Sequence, residues 1–464
     1  MNCGRMILVL IACLLVFSVE DSSMFLSGVA QIKTNKTKVV KISGKSHKTD
    51  SPYGRLIVKF SSGTPRKIRE RFFKQMGLQV VEMDVFGFDI GRWIKPSGDK
   101  MNISLAMNEV MAVLGKVSPY SIETYETEYP LRHEKRKKNR RAGGCLTKEP
   151  KMANPNKLFT HWFDKNIQLT DAHNFLRENG IPLAATGIVV IDEAPDFSHP
   201  DIRAALRYRG DKPIYWIGDM ESVKGLEGDH GCHVSCLAAA KHDGAGIEGV
   251  GGPKAYILPL IANFDHLEIE FASDIARGLK FYKDLEEKRE ISWRVVNMSF
   301  LLAYPSKIVY AAMEQLSDKL FVVAAGNDSE NLDVSKKQDI YPAAWPLYNK
   351  IAVASTTTGD KLADSSNYGK HAVAIAAPGV DVLSCAMGGK YIKMGGTSMA
   401  SPLVGGTFLL LFEMHPNLTV TQAKSFLSLG AVSKKGLKNK INGGLFLNVY
   451  NSVRLLYEAR NSFK

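Results

Sequence analysis

A serine near the C-terminus lies between a glycine-rich turn and a long apolar run, in the segment Gly395-Gly396-Thr397-Ser398-Met399-Ala400-Ser401-Pro402. The pattern predicts that Ser398 begins a buried helix, with its hydroxyl at the positively polarised N-terminus. Ser398 could then act as a nucleophile, and its backbone N–H could donate to a developing oxyanion. A serine that merely caps a core helix explains the same residues. Partner residues must decide between these interpretations.

Two candidate partners precede the serine. The β-branched run from 187 to 191 ends at Asp192, which predicts a buried parallel strand with the carboxylate at its C-terminal edge. His230 precedes a small-residue stretch that predicts a helix, and it falls in or before the first turn. In such a set the histidine takes the serine proton and the aspartate holds the imidazole. Alone, Asp192 is more typical of a turn, so the hypothesis depends on all three occurring together.

The order aspartate, histidine, serine is that of the subtilisins, and the sequence resembles the signature segments of subtilisin-like serine proteases. The matching segments are Val190-Ile191-Asp192 with His199-Pro200-Asp201, His230-Gly231-Cys232-His233-Val234, Gly396 to Pro402, Val296 to Ser299, Phe321 to Asn327 and Ala376 to Val380. The resemblance covers roughly residues 155–464. It implies an autoinhibited serine endopeptidase that cleaves protein or peptide substrates through an acyl-enzyme.

The resemblance also implies a role for individual residues. It assigns Asp192, His230 and Ser398 as the catalytic triad, and Asn327 with Ser398 as the oxyanion hole. It further implies a substrate groove lined by Ser299, Phe300, Leu301, Ala325 and Gly326. Because the imidazole must begin neutral, we expect activity to rise with pH through a histidine titration near an ordinary pKa of about 6.5.

The sequence departs from the family pattern at two places. Glu193-Ala194-Pro195 follow the aspartate, where the family usually has Thr or Ser and then Gly. Leu301 and Leu302 stand where glycines commonly let substrate backbone approach, so we expect a narrowed groove or a changed preference. The alternative is a catalytically impaired homologue that binds peptides or regulates another protease. An esterase of the α/β-hydrolase type would instead show Gly-x-Ser-x-Gly and the order Ser, Asp, His.

Metal chemistry receives little support from the sequence. His233 lies three residues after His230, and we interpret it as a packing residue, since His-x-x-His without its carboxylate signature is weak metal evidence. The predicted chemistry requires no cofactor. Structural calcium is common in the resembled family, but no carboxylate set can be matched to a site.

Four cysteines follow the apolar N-terminus: Cys145, Cys232, Cys236 and Cys385. Their pairing cannot be read from the sequence. Cys232 beside His230 is either a thiol near the active site, as in some subtilisin relatives, or a buried apolar residue. The second interpretation is favoured.

The chain has 464 residues and a net charge of +13. Residues 131–141 hold seven basic side chains and one acidic side chain, a net +6 that is nearly half of the excess. A local run of this kind is typical of a solvated linker, and here it also indicates a processing site. The concentrated charge argues against a nucleic-acid partner.

The apolar stretch from Met6 to Val19 follows Arg5 and is too short for a comfortable membrane span. It predicts a signal peptide within residues 1–30, and therefore a secreted or periplasmic protein. The cleavage position is left open between Glu20 and Gly28–Ala30. Lipidation at Cys13 is the less favoured alternative. Later apolar runs are too short to cross a bilayer, so no transmembrane segment is expected after the signal.

Residues 31–130 show a strand-helix-strand-strand-helix-strand pattern, typical of a split βαβ unit. Its predicted elements are strands Arg55 to Phe60, Leu78 to Asp84, Phe86 to Ile94 and Val117 to Thr124, and helices Pro65 to Met76 and Ser104 to Leu114. Before a subtilisin-like domain, the unit resembles the family's propeptide, which acts as an intramolecular inhibitor. A permanent accessory domain is the alternative.

Residues 131–154 are then the basic linker with the processing site, and 155–464 the catalytic domain. Strands and helices alternate in this last region, which predicts an α/β fold with a parallel sheet covered by helices on both faces. Two of its predicted helices are Phe271 to Lys288 and Ile308 to Lys319.

Overall fold

The computed structural model describes residues 53–75, 78–94, 122–128, 158–159, 161–217, 224–262, 264–265, 268–269, 272–302, 305–337 and 340–460. The predicted signal peptide, the basic linker, Cys145 and the helix predicted over 104–114 lie outside the described residues.

The smaller sheet is antiparallel and built from the N-terminal region. Its elements are β1 (Tyr53–Phe60), α1 (Arg66–Gln75), β2 (Gln79–Val85), β3 (Phe88–Ile94) and β4 (Ile122–Glu128). The strand order is β2-β3-β1-β4, and every neighbouring pair is antiparallel. This is the strand order of a split βαβ unit, in which β3 lies between the two strands that the first helix connects.

The larger sheet has eight strands in the order β17-β18-β14-β13-β12-β11-β5-β8. Its strands are β5 (Thr186–Asp192), β8 (Ala255–Ile261), β11 (Trp293–Met298), β12 (Leu320–Ala324), β13 (Lys350–Thr356), β14 (Ile375–Pro378), β17 (Val432–Ser433) and β18 (Leu445–Phe446). All neighbouring pairs are parallel except β17 with β18. Strands buried on both faces need continuous apolar runs, and β5, β12 and β13 are buried throughout.

Helices cover the larger sheet, which confirms the predicted α/β fold. They are α2 (Asp164–Ile167), α3 (Leu169–Glu178), α4 (Pro200–Arg203), α5 (Asp229–Ala239), α6 (Ala272–Glu287), α7 (Lys307–Gln315), α8 (Thr397–Met414), α9 (Val420–Gly430) and α10 (Val449–Ala459). By length and composition α8 could cross a membrane, but it is buried against the sheet and α5. Its apolar length is therefore that of a core helix.

Three short two-stranded sheets and a 3-10 helix at Asn442–Gly444 complete the described elements. The sheets are β6 (Tyr208–Arg209) with β7 (Lys212–Pro213), β9 (Phe264–Asp265) with β10 (Glu268–Ile269), and β15 (Val382–Ala386) with β16 (Lys390–Met394). A disulfide between Cys236 and Cys385 joins α5 to β15. This resolves the pairing that the sequence leaves open.

Several predicted boundaries are wrong by a few residues. Strand β4 continues to Glu128, four residues beyond its predicted end, and Phe86 belongs to the turn before β3. Helix α7 stops at Gln315 rather than Lys319, because Asn349 Nδ2 donates to the Met313 and Leu316 carbonyls at its end. Helix ends whose carbonyls bind a distant side chain carry no local sequence signal.

Candidate active site

Asp192 and His230 come together at the C-terminal edge of the larger sheet. Asp192 is the last residue of β5 and is buried, while His230 is the second residue of α5. The 2.8 Å contact between His230 Nδ1 and Asp192 Oδ1 is a hydrogen bond. The same carboxylate oxygen accepts the backbone N–H of Glu193 at 2.9 Å. These contacts fix the imidazole and direct its Nε2 atom away from the aspartate.

Ser398 is the second residue of α8, as the glycine-rich turn predicts. Gly396 precedes the helix with φ at 142°, a conformation that favours glycine. The Ser398 hydroxyl donates to the backbone carbonyl of Ser299 at 3.0 Å, and Ser299 Oγ donates to the Ser398 carbonyl at 2.9 Å. No hydrogen bond joins Ser398 to His230 in the described part of the chain. Such contacts often form only when substrate is bound.

Asn327 is fixed by Thr397, the residue before the candidate nucleophile. Asn327 Oδ1 accepts the Thr397 backbone N–H at 2.9 Å and the Thr397 hydroxyl at 3.1 Å. The Thr397 hydroxyl in turn accepts the backbone N–H of Gly326 at 3.1 Å. Because the amide oxygen is engaged, the amide nitrogen is the group left to donate elsewhere. No role was predicted for Thr397 from the sequence, although its position next to Ser398 indicates a part in the same site.

A buried polar network supports the strand that precedes Ser299. Asn297 Nδ2 donates to Ser299 Oγ at 2.9 Å, and Ser401 Oγ donates to Asn297 Oδ1 at 2.8 Å. The network therefore links the end of β11 to the first turn of α8. Buried polar groups that are satisfied in this way hold one geometry. Asn297 and Ser401 both lie in the sequence motifs, but the sequence did not predict a role for either residue.

The charges around His230 shift its titration. Burial lowers the pKa of His230, but the Asp192 charge, the hydrogen bond to Asp192 and the Glu193 charge outweigh that effect and raise the pKa above its ordinary value. The neutral imidazole therefore forms at a higher pH than it would in an exposed histidine.

Cys232 is the free thiol of the site region. It is buried, Asp196 N–H donates to its sulfur at 3.1 Å, and burial raises the pKa of the thiol to about 12. A thiol with so high a pKa is protonated at neutral pH and is a poor nucleophile. The structure agrees with the interpretation of Cys232 as a buried apolar residue.

The predicted groove residues lie at the ends of β11 and β12. Phe300, Ala325 and Ser299 are buried, whereas Leu301 is half-buried. A Cβ atom on Gly326 would approach Leu301 Cδ1 to 2.7 Å, so the Leu301 side chain lies against this glycine. Leu302 instead pairs with Tyr341 and donates its N–H to the Tyr341 carbonyl at 2.7 Å. Of the two unexpected leucines, Leu301 is therefore the one that lies against a predicted groove residue.

His233 does not join a metal cluster among the described residues. Its ring is fully buried, and Nε2 lies 2.9 Å from the Val382 carbonyl. Potential ligand atoms of His199, Asp201, Cys236 and Cys385 do lie close together, but the two cysteines form the disulfide. Disulfide sulfurs cannot act as thiolate ligands.

Residues 184–444, more than half of the chain, match the subtilase family of S8 peptidases. The chain belongs to the subtilase family. This match confirms the resemblance read from the sequence segments. The matched range contains Asp192, His230, Asn327 and Ser398, whereas the smaller sheet lies outside it.

This subtilase is also similar to individual proteins that are named as subtilisins or serine proteases. It is 32% identical to the thermophilic serine proteinase of Bacillus sp. (strain AK1) over 240 residues, which cover 51% of this chain and 54% of the relative. It is 29% identical to subtilisin BL of Lederbergia lenta over 288 residues, which cover 61% of this chain and 95% of the relative. It is 24% identical to subtilisin-like protease 1 of Plasmodium berghei (strain Anka) over 341 residues, which cover 64% of this chain and 54% of the relative. The subtilase thus spans about half the length of two of these relatives.

Proposed function

We propose that this subtilase is a serine endopeptidase that hydrolyses peptide bonds through an acyl-enzyme. The observation that carries the proposal is the hydrogen bond of 2.8 Å between His230 and Asp192, at the sheet edge where α8 presents Ser398. The family match supports the same activity.

In the proposed reaction, the Ser398 hydroxyl leaves the Ser299 carbonyl and gives its proton to His230 Nε2. Ser398 Oγ then attacks the carbonyl carbon of the scissile bond, and His230 returns the proton to the departing amine. Asp192 stabilises the imidazolium through its bond to Nδ1. Water repeats the sequence on the acyl-enzyme and releases the second product.

Two donors would stabilise the tetrahedral intermediate. The backbone N–H of Ser398 lies in the first turn of α8, where no intrahelical acceptor is available. The side-chain amide of Asn327 is the second donor, since Thr397 occupies its oxygen. Donors fixed before the reaction begins need no reorganisation in the transition state.

The smaller sheet serves in this proposal as the propeptide, and its contacts with α6 and α7 support that role. The Glu126 carboxylate of β4 accepts the Lys307 N–H at 2.8 Å, the Ile308 N–H at 3.2 Å and the Ser306 hydroxyl at 3.0 Å. It therefore satisfies the open N-terminus of α7.

A second set of contacts ties the smaller sheet to α6. Buried Arg55 of β1 donates to Ser273 Oγ at 2.9 Å and to Asp274 at 2.6 Å. Arg277 Nε donates to Glu82 of β2 at 2.8 Å. Buried or half-buried charge pairs of this kind fix how two surfaces align in an interface.

Export is the proposed localisation. The apolar segment after Arg5 supports it, as do similarities to two Bacillus subtilis (strain 168) proteins named cell wall-associated protease and minor extracellular protease Epr. We further propose cleavage within the basic linker at residues 131–154 during maturation.

The test compares the full chain with Ser398→Ala, both purified from a host that lacks other subtilases. The wild type should cleave an unfolded protein substrate, the variant should not, and mass spectrometry should locate a new wild-type N-terminus near the linker. A peptide-binding homologue would leave both proteins uncleaved and inactive. A processed Ser398→Ala variant would exclude self-cleavage as the route of maturation.

A further inference from the structure

Glu193 contacts the helix that carries His230. It follows Asp192 directly, and its half-buried carboxylate lies against Gly228, the residue before the helix, near the backbone N–H groups of His230 and Gly231. These N–H groups belong to the first turn of α5, which has no intrahelical acceptor for them. The residue preceding the helix is Gly228, which has no side chain with which to cap it. The Glu193 carboxylate therefore places a negative charge next to the positively polarised start of the helix.

Glu193 packs so closely against Gly228 and Gly231 that neither position has room for a Cβ atom. A Cβ atom on Gly228 would lie 1.7 Å from Glu193 Oε2, and one on Gly231 would lie 2.1 Å from the Glu193 carbonyl oxygen. Both glycines therefore let Glu193 lie directly on the helix start. The side chain of Glu193 thus packs against Gly228, and its backbone carbonyl packs against Gly231.

The backbone on either side of Glu193 joins the same two elements. The Glu193 N–H donates to Asp192 Oδ1 at 2.9 Å, the oxygen that also binds His230. Ala194 N–H donates to the Leu226 carbonyl at 2.8 Å, and Gly228 N–H donates to the Ala194 carbonyl at 3.1 Å. Glu193 thus lies at the centre of the connection between the end of β5 and the start of α5.

We propose that Glu193 is a positioning residue, which holds the start of α5 and places a second negative charge beside His230. The inference rests on the proposed function, because its readout is the reactivity of Ser398. The geometry agrees with the electrostatics. Glu193 is one of the charges that raise the pKa of His230, after the stronger contribution of Asp192.

The other titratable groups near His230 are Asp229 and His233, which lie on its own helix. Asp229 directs a carboxylate oxygen to the Met387 N–H at 2.9 Å. His233 is held neutral, since burial lowers its pKa to about 3. Among the described residues facing His230, Asp192 and Glu193 are therefore the groups that favour the imidazolium. Removing the Glu193 charge while keeping the size of the side chain separates the electrostatic effect from the packing at the start of α5.

The experiment measures the rate at which a fluorophosphonate labels the full-length enzyme between pH 5 and pH 9. The variants are Glu193→Gln, Glu193→Asp and Glu193→Ala, with Glu227→Gln as the control for an exposed carboxylate on the neighbouring segment that precedes α5. For Glu193→Gln we expect the midpoint of the rising limb to move down by about 0.5–1 pH unit. Glu193→Asp should keep the wild-type midpoint because it keeps the charge.

Glu193→Ala should show the lowered midpoint and also a reduced plateau rate, since it removes the side chain that packs against Gly228 at the start of α5. A midpoint of Glu193→Gln that equals those of the wild type and Glu227→Gln would overturn the inference. A wild type that is not labelled at all would instead refute the proposed protease function, so the two failures are distinguishable.

Discussion

Thr397 holds Asn327 through two hydrogen bonds to one oxygen, from its backbone N–H at 2.9 Å and its hydroxyl at 3.1 Å. The residue before the proposed nucleophile therefore orients the proposed oxyanion donor. One turn of chain links both components of the site, so the position of the donor follows that of the serine.

We predict that Asn327→Ala lowers kcat by about 10²–10³-fold with little change in KM, a magnitude that was itself measured on a subtilisin. Thr397→Val should cause a smaller loss, because it keeps the backbone N–H bond and removes only the hydroxyl. Thr397→Ser is the matched control and should stay near the wild-type rate. Steady-state kinetics on a fluorogenic peptide measure all three, and equal rates for Asn327→Ala and wild type would contradict the role of Asn327.

The Cys236–Cys385 disulfide closes a loop across 149 residues and anchors the helix that carries His230. For a loop of this length, the chain-entropy relation gives about 5 kcal/mol of stabilisation, near the top of the usual range. We predict a lower free energy of unfolding for Cys236→Ala/Cys385→Ala in denaturant titrations. Cys232→Ala changes the same helix without touching the disulfide and should lose far less. Equal losses for the two proteins would contradict the prediction.

Leu301 packs against Gly326. In the proposed function, the substrate residue before the scissile bond would approach Ser398 beside these two residues. We predict a preference for small residues at that substrate position. Leu301→Gly should raise kcat/KM for peptides with a large aromatic residue there by about tenfold or more, as filling an apolar pocket allows. Peptides with alanine at the same position should change little. A uniform change for both peptide series would show that Leu301 does not limit this subsite.

Glu413 is fully buried near the end of α8, and burial raises the pKa of its carboxyl well above the ordinary value, against weaker opposing effects of the Gly252 N–H and Lys254. The folded state therefore binds this proton more tightly than the unfolded state. Its stabilising contribution is complete below the unfolded pKa of about 4.5 and is lost as pH rises toward the folded pKa.

We consequently predict that Glu413→Gln makes unfolding free energy less dependent on pH between pH 5 and pH 8. The variant should lose less stability than wild type over that range, by up to about 1.4 kcal/mol per pH unit. Glu458→Gln, an exposed helical glutamate, is the control. Parallel pH profiles for Glu413→Gln and wild type would contradict the assignment.

The triad residues could be predicted because each lies next to a strong local pattern. Asp192 ends a β-branched run, and Ser398 is the second residue of an apolar helix that begins directly after Gly396, a glycine with positive φ. Such patterns report the local structure, and parallel strands bring their carboxyl ends to one edge. The predicted positions of these elements are therefore confirmed, while the catalytic roles remain proposals.

Contacts made by tertiary packing could not be predicted in the same way. The polar strand β4 lies at the edge of its sheet and lacks an apolar alternation, so its end was misplaced. The partner of Cys236 lies far along the chain, and no spacing encodes it. Glu193 was noted as a departure from the family pattern, yet its contact with α5 depends on how two separate segments pack.

The most direct test of the account is to treat the full-length protein with a fluorophosphonate and map the adduct by mass spectrometry. The account predicts one stoichiometric adduct on Ser398, formed faster as His230 becomes neutral and absent from Ser398→Ala. An active protease labelled at another residue, or labelled equally in Ser398→Ala, would contradict it.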